Sequence, residues 1–282
     1  TFFQIVSYQQ FYLQLELVKD DFARSICIYN KLSHKYDINN SFAEKTGLSI
    51  FEFVQMSFVY WMFMQPKLHG SNNFYNGYIN DGDRQAFTAI FDSSKIDFFL
   101  NLLTISNTDA NNKIGSYGKS LRSGSLQPFE ISVFTMYPLQ RIFGKLNIVH
   151  SALFNHTCLY YIYDYLKEND ENFTTEFGNR FEQYVELGLK EIDADYQSEK
   201  SLQSKLSKGE RVIDFLVEDY LLIECKGIEQ KPIAAVNPFN EVAYRALKDS
   251  LIKAYCKQML NVISKLNLNE DCFGLIITYK DF

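Results

Sequence analysis

The sequence predicts an α/β protein, α+β overall, in which a mainly helical N-terminal domain, residues 1–168, precedes a C-terminal domain, residues 169–282, built on a mixed sheet flanked by helices. Three observations predict it. Apolar residues recur at helical spacing through most of the first part. Two nearly continuous apolar runs, Val212-Ile213 with Phe215-Leu216-Val217 and then Leu221-Leu222-Ile223, read as central strands covered on both faces. A helical stretch from about Glu241 to Leu266 separates them from a further apolar run, Cys272 to Tyr279. Such a crossover makes the flanking strands parallel neighbours.

In chain order, the segments Phe2 to Tyr36, Ser41 to Met64 and Asp83 to Leu103 carry the helical period. Ser49-Ile50-Phe51-Glu52 is a capping box that opens the second helix of the middle segment. Preceded by Phe42 to Leu48, it has the outline of a helix-turn-helix. The second helix is apolar nearly all round, however, which predicts burial in a core rather than a place in a DNA groove. Asp109 to Gln127, rich in Asn, Gly and Ser, predicts a long loop. Phe129 to Arg141 and Lys145 to Val149 predict a hairpin turning at Phe143-Gly144. In the second part, Thr174 or Thr175 is the expected cap of a helix carrying Phe177, Phe181, Tyr184, Val185 and Leu189 and ending near Ile192. A weak strand follows at Tyr196 to Leu202, then the two apolar runs, a loop with Pro232 and Pro238, the long helix and a closing buried strand.

Three charges interrupt the apolar runs: Asp214, Glu224 and Lys226. An unpaired buried charge costs several kcal/mol, so such residues pair, bind metal or do chemistry. Alternation along a strand puts Glu224 and Lys226 on one face and Cys225 on the other. Glu218, Asp219 and Tyr220 form a three-residue hairpin loop in this reading, and that register sets Asp214 opposite Glu224. Two carboxylates face to face repel. A divalent cation between them resolves the conflict, and Mg2+ suits a few carboxylates with water and phosphate oxygens, with Mn2+ able to substitute. Lys226 is then placed to stabilise a phosphorane or to orient the attacking water.

An acidic residue at the end of one strand followed by Glu-x-Lys on the next resembles the PD-(D/E)XK nuclease superfamily, with Ile213 where the literal proline would stand. Phe177-Gly178-Asn179-Arg180-Phe181-Glu182-Gln183-Tyr184-Val185 is similar to the first core helix of that family, whose glutamate reaches the metal, here Glu182. Asp249 to Leu260 is similar to a later core helix in which some members carry a glutamine near the catalytic lysine, here Gln258, although Val262 stands where some branches have tyrosine. The resemblance covers about the last hundred residues. It implies a restriction-endonuclease-like αβββαβ core, and a metal held by Asp214, Glu224, the Cys225 backbone carbonyl and Glu182. It also implies Mg2+-dependent phosphodiester hydrolysis with Lys226 and Gln258 at the catalytic centre.

Bulk properties set bounds on this reading. With 46% hydrophobic and 22% charged residues the composition is that of an ordinary globular chain. Five cysteines, odd in number and widely spaced, argue against a disulfide framework or zinc site and for a reducing, cytoplasmic setting. The Ile50 to Met64 helix is too short for a membrane span and carries Glu52 and Gln55. An opening at Thr1 without methionine is what a fragment of a longer protein gives. His34, His69, His150 and His156 lack metal-binding or triad spacing. A net charge of -6 is unfavourable for a general polyanion binder. Lys113, Lys119 and Arg122, or Lys205, Lys208 and Arg211, are the local groups available to track a nucleic-acid backbone. The expectation is a DNA endonuclease, of use in defence against foreign DNA, with a partner protein or a second copy as a further means of substrate delivery. The alternatives are cleavage of RNA and a catalytically idle nuclease-fold scaffold that binds nucleic acid or a protein.

Overall fold

The computed structural model describes residues 19–33, 35–69, 78–117, 133–142, 144–207, 209–227, 241–268 and 271–280. It mixes helices with two small mixed sheets, an α+β arrangement, and divides into two compact units, Thr1–Phe173 and Thr174–Phe282.

The first unit holds α1 (Lys19–Ile26), which runs on as a π-helical turn over Cys27–Lys31, then α2 (Ile38–Thr46), α3 (Ile50–His69), α4 (Asp81–Thr88), α5 (Ser93–Leu102), α6 (Asn107–Tyr117) and α7 (Ser151–Asn169). Its sheet is ordered β1 (Tyr78–Ile79), β4 (Lys145–Ile148), β3 (Leu139–Ile142), β2 (Thr104–Ile105). Capping explains where helices break. Asp37 caps α2, and the chain leaves it at Gly47 in a left-handed conformation (φ 75°). The Ser49 capping box forms as expected: Ser49 N–H donates to Glu52 Oε2 at 2.7 Å and Glu52 N–H to Ser49 Oγ at 3.2 Å. Ile50, Phe53, Val54, Met56, Tyr60 and Met64 of α3 are buried, and Phe53 stacks on Tyr161 of α7 at 4.9 Å. This helix is core, as its all-round apolar sequence predicts. Among the described residues no single helix is long and apolar enough to cross a membrane.

Several expectations for this unit need correction. The helical period of Asp83 to Leu103 is divided between α4 and α5, because the Asp92 side chain accepts from Ser94 N–H and starts α5 afresh. Asp109 to Tyr117 is helical rather than loop: Ser106 Oγ accepts from Asp109 N–H at 3.1 Å and Ala110 is buried, so a cap and one anchor outweigh the low propensity of Asn and Gly. The remainder of that predicted loop lies outside the described residues. The expected first hairpin strand is shorter, β3 alone, with a 3-10 turn at Val133–Thr135 before it, while Gly144 (φ 76°) lies in the turn.

The second unit comprises nearly all of α8 (Phe173–Glu191), then β5 (Tyr196–Ser198), α9 (Glu199–Lys205), β6 (Phe215–Val217), β7 (Leu221–Lys226), α10 (Glu241–Ile252), a π-helical stretch Lys253–Met259, α11 (Leu260–Leu266) and β8 (Phe273–Thr278). The sheet order is β5-β6-β7-β8, antiparallel at the first two pairings and parallel between β7 and β8, as the crossover helix requires. Odd-numbered side chains Phe215, Val217 and Ile223 pack with Leu189 and Val185 of α8. Even-numbered Leu216 and Leu222 pack with Leu202, Met259 and Val262 on the other face. The expected loop Glu218-Asp219-Tyr220 is present, with Glu218 and Asp219 at φ 48° and 57°.

Four readings change here. Thr174 and Thr175 lie inside α8 rather than capping it, because helical backbone already starts at Phe173, a fully buried anchor. The weak strand ends at Ser198, where α9 begins. Val212 and Ile213 are buried but precede the strand, since the chain bends at Asp214. β8 is an edge strand rather than a buried one, with Phe273 63% exposed. The Pro232 and Pro238 loop lies outside the described residues.

Candidate functional site

The site forms where β6 begins and β7 ends. Because β6 starts only at Phe215, it offers no ladder partner to the N–H of Cys225, and the Asp214 side chain takes that donor instead, with Oδ2 2.6 Å from Cys225 N. Burial, and next the Glu224 charge, push the Asp214 carboxyl up to about 6.

Glu224 projects from the even face of β7 and is 1% exposed. Its Oε1 accepts from Lys226 Nζ, two residues on along the same face, and from Gln258 Nε2 at 2.6 Å. That Gln258 amide also donates to the Val212 carbonyl at 2.9 Å. Gln258 reaches inward from the π-helical stretch, flanked by buried Ala254 and Met259. Lys226 keeps part of its side chain exposed at 22%, so its ammonium sits at the border of the buried cluster. Among the described residues, Glu224 Oε2 and Gln258 Oε1 are buried with no hydrogen-bond partner. An orphaned buried carboxylate oxygen is costly and calls for a missing donor or cation.

Glu182 enters from α8, and its carboxylate, that of Asp214 and that of Glu199 offer oxygens that all lie within 4.8 Å of one another. Burial, followed by the charges of Asp214 and Glu199, pushes Glu182 up to about 7. Glu224 stands outside this trio by that distance, although its charge acts on both Asp214 and Glu182. Thus the fold gathers Asp214, Glu224, Lys226, Glu182 and Gln258, residues spread over 77 positions of sequence, around one end of a sheet. Cys225 contributes backbone only. Its thiol faces the Phe215 and Ile223 cluster, and burial with the Asp214 charge pushes it up, away from nucleophilic use.

The donors fit a hard divalent cation: all are oxygens, and, after burial, Glu182 is raised by the charge of Asp214 and Asp214 by the charge of Glu224. A Glu224 oxygen lacks a partner as well. Sequence reasoning missed Glu199, which it placed inside a strand; the signal was an acid at the first position of a helix following Ser198.

Other candidates disperse. Lys113 lies over the Tyr137 ring at 4.9 Å, and Lys205 donates to Gln197, whereas Lys119, Arg122 and Lys208 are outside the described residues. His150 caps α7 and His156 meets the Tyr160 ring edge-on, both structural positions. In comparison with known proteins, no family model, curated protein or solved structure matches this chain.

Proposed function

We propose that the protein is a Mg2+-dependent nuclease of the PD-(D/E)XK type with a restriction-endonuclease-like core, and that its substrate is DNA. The observation that carries this reading is the convergence of Asp214, Glu182 and the Glu224–Lys226–Gln258 network, in which a Glu224 oxygen is buried and unsatisfied. Asp214, Glu224, the Cys225 carbonyl and Glu182 would hold the cation, with Mn2+ able to replace Mg2+. The chemistry such an ion would supply is polarisation of the scissile phosphate and a water acidic enough to attack at neutral pH.

The chain's own groups divide the remaining work. Glu182 and Asp214, raised to about 7 and 6, release their protons more readily once a cation lies beside them. Lys226 Nζ, tethered to Glu224 at the solvent border, would contact a non-bridging phosphate oxygen and offset the charge that builds there during attack. Gln258 fixes the rotamer of Glu224 by bridging it to the Val212 carbonyl. Water oxygen then bonds to phosphorus, the bond from phosphorus to the sugar oxygen breaks, and a proton passes to that leaving oxygen.

The net charge of -6 means that affinity for DNA must come from local basic groups, a partner protein or a second copy rather than from the whole surface. Defence against foreign DNA is the cellular role proposed. Incubation of plasmid, single-stranded DNA and RNA with Mg2+ or Mn2+ tests the reading, with Asp214→Ala and Lys226→Ala as controls. DNA cleavage lost in both variants supports it. RNA cleavage alone moves the substrate, and cleavage that survives both substitutions removes the assignment. Metal binding without any cleavage leaves the idle scaffold.

A further inference from the structure

Glu199 belongs to none of the positions that the nuclease resemblance supplies, yet the sheet register puts it in line with two that do. β5 and β6 pair with Ser198 opposite Phe215, so one step beyond the ladder Glu199 falls opposite Asp214. β6 and β7 pair with Phe215 opposite Ile223, so the same step sets Asp214 opposite Glu224. Three acidic positions therefore follow one another where these strands end, and the carboxylates of Glu199 and Asp214 offer oxygens within 4.8 Å of each other and of Glu182. The arrangement is pinned by the Glu199 N–H, which donates to the Asp214 carbonyl at 2.8 Å.

Like charges on neighbouring strands destabilise a sheet, and this row has two such pairs. Among the described residues, no lysine or arginine forms an ion pair with Glu182, Glu199 or Asp214, and Lys226 is engaged by Glu224. A second and separate observation is the Glu224 oxygen Oε2, buried in a side chain 1% exposed and without a partner. Neither the row nor the orphan is explained by packing.

We propose that Glu199 is a ligand of the divalent cation, which sits among Glu182, Glu199 and Asp214 with Glu224 behind it. This rests on the reading of the site as a metal centre. Glu199 is the exposed member of the trio, so it forms the solvent side of the seat, where the ion enters and leaves.

Calorimetric titration of the full chain with Mn2+, without nucleic acid, tests the assignment. Glu199→Gln is expected to weaken binding about tenfold or more, and Glu199→Asp, which keeps a carboxylate, to recover part of the loss. Glu191→Gln removes the same charge about 13 Å along α8 from Glu182 and is expected to leave affinity within about twofold. Melting of ion-free Glu199→Gln is expected at or above the wild-type temperature, because a repulsion is relieved. Wild-type affinity in Glu199→Gln, alongside weakened binding in Glu224→Gln, overturns the role of Glu199 and leaves the metal centre standing. Absence of Mn2+ binding by the wild type overturns both.

Discussion

Gln258 and Glu224, 34 residues apart, are joined by a 2.6 Å hydrogen bond from Nε2 to Oε1, and the same amide reaches the Val212 carbonyl at 2.9 Å. One side chain thereby ties the π-helical stretch to the C-terminal end of β7 and to the approach to β6. π-helical insertions often occur at functional sites, and here the insertion carries the residue that orients a buried acid.

Replacing Gln258 by Ala deprives a buried carboxylate of a donor and opens a cavity. We expect a loss of about 1–3 kcal/mol in urea unfolding, with Mn2+ affinity reduced as well. Stability equal to wild type would show that the bridge is dispensable.

Stability should depend on pH through Glu182 and Asp214. Their folded values, about 7 and about 6, exceed those of ordinary carboxyls near 4, so between about pH 4 and 7 the ion-free folded state binds more protons than the unfolded chain. Stability contributed by these groups is therefore lost as pH rises through that window and levels off above it. Asp92, held low by Ser94, acts below the window and is common to all variants. Urea titrations in chelator should show Glu182→Gln flattening the upper part of the slope and Asp214→Asn the lower part. Parallel curves for wild type and both variants would contradict the assignment.

Lys226→Ala removes the ammonium at the border of the cluster while leaving Glu224 bonded to Gln258. Turnover of plasmid DNA should fall by about a hundredfold or more. Mn2+ affinity should hold or rise, since a positive charge has gone. An equal loss of binding and turnover would make Lys226 a structural residue.

Gly274 of β8 lies opposite Leu222, and a Cβ there would come 2.7 Å from Met259 Sδ. Gly274→Ala should force Met259 to move, at a cost of about 1–3 kcal/mol read by thermal unfolding. Because Met259 adjoins Gln258, a drop in Mn2+ affinity should accompany it. A neutral substitution would show that the methionine has room to swing away.

Short-range periodicity determined a good deal before any fold was known. Alternation alone put Glu224 and Lys226 on one face with Cys225 on the other, and the three-residue loop fixed the register that brings Asp214 level with Glu224. The capping box at Ser49 and the parallel pairing of β8 were legible for the same reason, since each depends on neighbours or on crossover length. Long-range competition decided the rest. Asp214 lies beyond the ladder and its side chain accepts from the Cys225 N–H that the short β6 leaves unpaired, and Glu199 reaches the acids where its N–H donates to the Asp214 carbonyl. The burial of Gln258 depends on a π-helical stretch whose hydrogen bonds no local pattern announces. Side-chain direction follows from covalent geometry and can be read along the chain, whereas the partner a buried polar group finds depends on which segments pack around it.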